Sequence, residues 1–227
     1  MGHTSEQDQN LDVFLPELQN YNYKHVVSLG SQCFTSTSLQ RLKLRLYATP
    51  FDWMLTSIPF VTKCIESNFV HFLNPDYLEK KEWNGRTEYK NNFYPSYWGV
   101  NFTHHDPISA EGQRYFRRSI ERFDWLLSSN ARTLFILVFE SPQITPNDVA
   151  AGMLLNDLIS TKTQNSKLVI VSTRQSIERQ AFEEVKSFPK GGGIYLFQSA
   201  SKLRGTNFVD TTDDDAFDKF LLSLLDS

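Results

Sequence analysis

Two cysteines and five histidines are the natural candidates for nucleophilic and proton-shuttling chemistry in this 227-residue chain. Cys33 is placed where such chemistry is usual. It follows a short apolar run and a glycine, in Lys24-His25-Val26-Val27-Ser28-Leu29-Gly30-Ser31-Gln32-Cys33, and an amphipathic helical pattern starts directly behind it. A strand, glycine turn and helix in that order leave the first backbone N–H groups of the helix unpaired and converging on one spot. They favour an anion there, whether a thiolate, an oxyanion or a phosphate. Gly30, Ser31 and Gln32 would form the cradle.

A nucleophilic cysteine needs an imidazole to carry its proton. His104 and His105 are the best placed, after an expected strand and just before a helix. His25 lies at the far end of the Cys33 strand, and His71 sits in apolar surroundings. A third group would orient the imidazole. Asp106 follows His105 directly but points to the other face unless a turn intervenes. Asn101 shares a face with His105 but is four strand residues away. Asp52, in the turn Thr49-Pro50-Phe51-Asp52-Trp53, is the other candidate, and the same position suits a purely structural Asx turn or helix cap.

A second chemistry competes. Arg114, Arg117, Arg118 and Arg122 form a stripe on one expected helix. Turned inward, Arg117 and Arg118 would grip a carboxylate or phosphate through paired N–H donors. The chain carries neither a Walker loop nor a Gly-x-Gly-x-x-Gly turn, and the lack of a histidine after His105 argues against an ordinary serine esterase. Two cysteines and scattered histidines give no zinc spacing, so neither metal nor cofactor is expected.

The elements that must position these groups read as α/β. Residues 1–10 are polar and expected to be a disordered tail, with a single domain over 11–227 and a short docking helix around Val13, Phe14, Leu15 and Leu18. Strands are expected at His25–Leu29, Thr133–Phe139, Leu168–Ser172 and Ile194–Gln198, the last fed by the Gly191-Gly192-Gly193 turn. Helices are expected at Ser31–Leu44, Ile58–Glu66, Glu111–Ser128, Asn147–Thr161, Ser176–Ser187 and Asp214–Leu225. Fully apolar strands alternating with helices imply a three-layer, mostly parallel, Rossmann-like sheet. Residues 74–105, rich in aromatics and turn formers, read as an irregular or hairpin insertion with strands at Glu88–Phe93 and Gly99–Thr103.

Composition narrows the partners. A formal net charge of −3 offers no global attraction to nucleic acid or anionic lipid, and no apolar run approaches membrane-spanning length. The first residues lack a signal-peptide pattern, and two cysteines make no disulfide framework, so a reducing, cytoplasmic setting is expected.

The motifs Val27-Ser28-Leu29-Gly30-Ser31-Gln32-Cys33, Pro50-Phe51-Asp52-Trp53, His105-Asp106 and Tyr115-Phe116-Arg117-Arg118-Ser119-Ile120-Glu121-Arg122-Phe123 occur in this order. Together they resemble a bacterial domain-of-unknown-function family described as papain-like cysteine peptidases. The resemblance implies a cysteine-dependent hydrolase with Cys33 as nucleophile, His105 as base and Asp52 or Asp106 orienting it. It also implies a papain-like α+β fold as the alternative architecture. Three functions follow from sequence: a thiol hydrolase or acyl transferase acting on a peptide, glycan or small molecule; a transferase or binding module for an anionic ligand such as a nucleotide-sugar or phosphorylated glycan; and a non-catalytic interaction module docking through its aromatic segment.

Overall fold

The computed structural model describes residues 15–176 and 182–226. The chain enters through β1 (His25–Ser28) and turns at Gly30 and Ser31 into α1 (Cys33–Arg41). Lys43, in the left-handed region at φ +59°, ends this helix. α2 (Ile58–Glu66), the antiparallel hairpin β2 (Leu78–Trp83) and β3 (Arg86–Asn91), and the long α3 (Ala110–Ser128) follow. Then come β4 (Thr133–Glu140), α4 (Pro146–Lys162), β5 (Ser166–Gln175), β6 (Glu183–Ser187) and β7 (Gly192–Ser199). A small pair, β8 (Leu203–Arg204) and β9 (Asn207–Phe208), leads into α5 (Thr211–Leu225).

The main sheet has strand order β1-β4-β5-β7-β6, with the first four strands parallel and β6 antiparallel at the edge. Its two faces explain the all-apolar strands. Along β4, Phe135, Leu137 and Phe139 pack with α2, α3 and α4, whereas Leu134, Ile136 and Val138 pack with α1 and α5. Alternating side chains of one strand therefore fill two different cores, and each must be apolar. The result is a mixed α/β protein with a mostly parallel five-stranded sheet between helical layers.

Three expectations change. Residues 183–187, expected as the end of a helix, form the edge strand β6, paired to β7 through the turn closed by Phe188 N–Gly192 O and Gly191 N–Phe188 O bonds. Gly191 and Gly192, at φ +87° and +83°, permit that reversal. The charges of Glu183, Glu184 and Lys186 are those an edge strand carries to discourage further pairing. Residues 177–181 of the same expected helix, and the expected tail at 1–10, lie outside the described residues. Leu15 and Leu18 are buried as expected but in a non-helical segment.

Within 74–105, the hairpin reverses at Asn84 and Gly85, both with positive φ, as a two-residue turn matched to strand twist requires. The expected strand at Gly99–Thr103 is reduced to single bridges from Phe102 to Met54 and to Tyr89. Phe102 is buried among Phe72 and Phe116, edge to face at 5.3 and 5.2 Å, and pins this irregular segment to the core.

Candidate active site

Cys33 is the first residue of α1, at the carboxyl edge of the sheet where β1 gives way to a helix. The preceding turn is tightly built. Gly30 has φ +78°, and a Cβ there would meet Thr56 Oγ1 at 2.7 Å and the Phe51 carbonyl at 2.8 Å, so both conformation and space demand glycine. Ser31 also sits at positive φ, +85°, a strained state for a residue with a Cβ. Thr56 holds it there: Ser31 N–H donates to Thr56 Oγ1 (2.6 Å), Thr56 N–H donates to the Ser31 carbonyl (3.2 Å), and Thr56 Oγ1 donates to the Leu29 carbonyl (3.1 Å). Gln32 occupies the cap position of α1, yet its side chain makes no capping bond; it donates instead to Glu140 Oε2 at the end of β4 (3.1 Å). The first N–H groups of α1 thus have no side-chain acceptor from the cap residue.

The imidazole that meets Cys33 is His104, whose Nε2 lies 3.1 Å from Sγ. The neighbouring ring of His105 is stacked on Tyr115, with centroids 3.7 Å apart, and packs toward Phe116. His25 is buried at the start of β1, where Nδ1 meets the Tyr47 hydroxyl at 2.8 Å. His71 packs on Phe93, with its backbone carbonyl accepting from Asn91.

Electrostatically the pair is neutral. Burial pushes the Cys33 thiol up to about 11, against a smaller opposite pull from its own backbone N–H. Burial, helped by the field of Arg86, holds His104 below the ordinary histidine value. Neutral thiol and neutral imidazole therefore share the contact near pH 7, with the imidazole free to accept the proton. Cys64, by contrast, is wholly buried in α2 with its thiol pushed well up.

The two carboxylates expected to orient an imidazole are engaged elsewhere. Asp52, 1% exposed, accepts from Ser36 Oγ (3.0 Å), Thr49 N (2.8 Å), Thr49 Oγ1 (2.9 Å) and Arg45 Nε (2.9 Å), and Arg45 Nη2 lies 2.9 Å from it. Its bonds from Thr49, three residues earlier, close the turn at residues 49–52, and the bond from Ser36 ties that turn to α1. Burial pushes its pKa up, and Arg45 opposes that shift. Asp106 accepts from the backbone N–H groups of Ile108 and Ser109 ahead of α3. Asn101 bridges Asn91 N, the Leu55 carbonyl and Ser96. Among the described residues none of these three reaches His104. Arg117 and Arg118 are exposed on α3. Arg117 donates to Gln113 and lines a separate cleft of about 500 Å³ with Phe69, Val70 and Leu73, so neither arginine joins the Cys33 turn.

Sequence reasoning missed the short segment 53–56 that joins the two halves of the site. Thr103 Oγ1 donates to the Trp53 carbonyl, Met54 bridges Phe102, Leu55 N–H donates to the Asn101 carbonyl, and Trp98 Nε1 donates to the Thr56 carbonyl (2.7 Å). Thr56 in turn fixes Ser31. One face of this segment supports the cysteine turn, and the other supports the loop that carries His104. Among the described residues, no group of three or more His, Cys, Asp or Glu side chains could hold a metal ion, and no helix is long and apolar enough to cross a membrane.

A thiol in contact with an imidazole, at a helix start on the carboxyl edge of a mostly parallel sheet, places the chain among α/β proteins with a Cys–His pair. The chain belongs to the family described as "Putative papain-like cysteine peptidase (DUF1796)", whose model matches residues 24–186. It is also similar to the uncharacterized protein R408 of Acanthamoeba polyphaga mimivirus, 25% identical over 190 residues, covering 72% of this chain and 83% of that protein. No solved structure matches.

Proposed function

We propose that the protein is a cysteine-dependent hydrolase or acyl transferase acting on an amide or ester, with Cys33 as nucleophile and His104 as base. The observation that carries this reading is the 3.1 Å contact between Cys33 Sγ and His104 Nε2 at the start of α1. The family's name supports the same class of chemistry.

With the thiol neutral at rest, activation proceeds by proton transfer during attack rather than from a standing thiolate. His104 Nε2 takes the Cys33 proton as Sγ bonds to the carbonyl carbon. The carbonyl electron pair moves to oxygen, and the resulting oxyanion faces the uncapped N–H groups of α1. As the tetrahedral centre collapses, the C–N or C–O bond breaks. His104 returns the proton to the leaving amine or alcohol, and a thioester on Cys33 remains. Water, or an acceptor amine in a transferase, gives its proton to His104, attacks the thioester and regenerates the thiol. The alternative of an anionic-ligand module finds little support, because Glu140 stands beside Gln32, Arg117 lines a separate cleft and Arg118 is exposed on α3.

Alkylation at neutral pH with iodoacetamide, mapped by mass spectrometry, tests the reading. Cys33 is expected to be modified well ahead of Cys64, and His104→Ala is expected to remove that advantage. Slow, equal modification of both cysteines in the native protein would refute it.

A further inference from the structure

Among the described residues, no carboxylate or amide orients His104 in the way usual for a catalytic imidazole. Among the described residues, no hydrogen bond reaches the other ring nitrogen of His104. What does touch the ring is Trp53, with centroids 5.7 Å apart and planes inclined by 50°. Trp53 is itself backed on its ring by the guanidinium of Arg45, 5.3 Å from the centroid. Arg45 is fixed by Asp52, through contacts of 2.9 Å from both Nε and Nη2 to one carboxylate oxygen. Asp52 is in turn locked to α1 through Ser36 and to the turn through Thr49. The Trp53 carbonyl accepts from Thr103 Oγ1, one residue before His104. A continuous stack, Asp52, Arg45, Trp53 and then His104, runs from the floor of α1 to the edge of the imidazole.

We infer that Trp53, braced by the Arg45–Asp52 ion pair, is the positioning residue of His104, taking by ring packing the role a carboxylate plays by hydrogen bonding. The inference rests on the Cys33–His104 reading and adds to it how the base is held. A packed ring fixes where the imidazole lies without selecting its tautomer and without adding negative charge beside it. That suits a base whose pKa is held low and whose thiol partner is neutral at rest. The arrangement also gives Asp52 a part in the site at a distance, through Arg45, with no contact to a histidine. Besides Trp53 and Cys33, the charged and titratable groups acting on His104 are Arg86, whose field lowers it, and His105, to which it is electrostatically linked.

The test follows the rate of Cys33 alkylation by iodoacetamide as a function of pH in the full-length protein, with thermal unfolding as the control for fold. In the native protein the rate is expected to rise through the histidine range and then level off. Trp53→Leu, which keeps apolar volume but removes the ring, is expected to lower the neutral-pH rate by about 10- to 100-fold, the scale a misplaced catalytic group produces. It should also move the rise toward the thiol's own range near 11. Trp53→Phe should restore most of the rate and the original midpoint, and Arg45→Met should fall between the two. A folded Trp53→Leu protein with unchanged rate, or with a lower rate but an unmoved midpoint, overturns the inference. If Trp53→Leu does not fold, Arg45→Met decides by the same two numbers. Failure of the underlying dyad looks different: His104→Ala would then retain the native profile.

Discussion

Helices α1 and α2 each carry one of the two cysteines, and their beginnings are built differently. α2 starts in the ordinary way, with Ser57 accepting from Phe60 N–H and a proline in its first turn. α3, α4 and α5 are likewise capped, by Ser109, Thr145 and Asp210. α1 is not: Gln32 turns away to Glu140, and the first residue of the helix is Cys33 itself. Cys64 lies inside α2, fully buried in the hydrophobic core, whereas Cys33 meets an imidazole at the helix end. The two cysteines thus differ in setting: Cys64 lies within a helix whose cap residue satisfies its first turn, whereas Cys33 begins a helix whose cap residue leaves the first N–H groups without a side-chain acceptor.

The contrast breaks most directly at the sulfurs. Cys33→Ala is expected to abolish any turnover and all fast alkylation, while Cys64→Ala leaves both in place and costs only core packing, measured by denaturant unfolding. Next in size, His104→Ala should slow alkylation or turnover by about 10²- to 10⁴-fold, the usual contribution of a general base. His105→Ala should cost far less, because its ring packs on Tyr115.

Giving α1 a cap and removing one from α4 sharpens the comparison with a smaller effect. Gln32→Ser should stabilise the fold by up to about 1 kcal/mol while slowing the reaction, since the new hydroxyl occupies an N–H the oxyanion needs. Thr145→Ala should cost about 1 kcal/mol and leave the site chemistry untouched. The smallest effect is on acid stability. Burial lowers the pKa values of His25, His104 and His105 in the fold below 6.5, so the unfolded chain binds more protons in that range. Their contribution is full above pH 6.5 and is lost as pH falls toward the folded values, which thermal unfolding across pH 5–7 would register.

Much of this was readable in the chain before any coordinates. β4 and β5 announced themselves because a strand packed on both faces must be apolar throughout, and the Cys33 turn because strand, glycine and helix are adjacent in sequence. His104 was harder. Adjacency to Asp106 favours His105, but Asp106 is spent on backbone N–H groups ahead of α3. Local spacing did not separate the two rings, because residues 103–106 follow no regular strand period. Asp52 shows the same lesson in reverse: a structural role for it in the turn was legible, and it does bond Thr49 there, but its bonds to Ser36 and Arg45 were not. The edge strand β6 was hidden because charged residues suit a solvated helix and an exposed strand alike. The route from Asp52 through Arg45 to Trp53 depends on long-range packing that no spacing rule encodes.

Residues 53–56 set the gap between the Cys33 sulfur and the His104 imidazole much as a spacer sets the gap between electrodes. One side grips the turn before Cys33 through Thr56, and the other grips residues 98–103 through backbone and side-chain bonds. Length changes are therefore unequal in their consequences along this chain. The tip of the hairpin at Gly85 has open space around it and can absorb added residues, whereas a single residue gained or lost between Trp53 and Thr56 would displace Met54 in the core and draw the Cys33 sulfur and the His104 imidazole out of register.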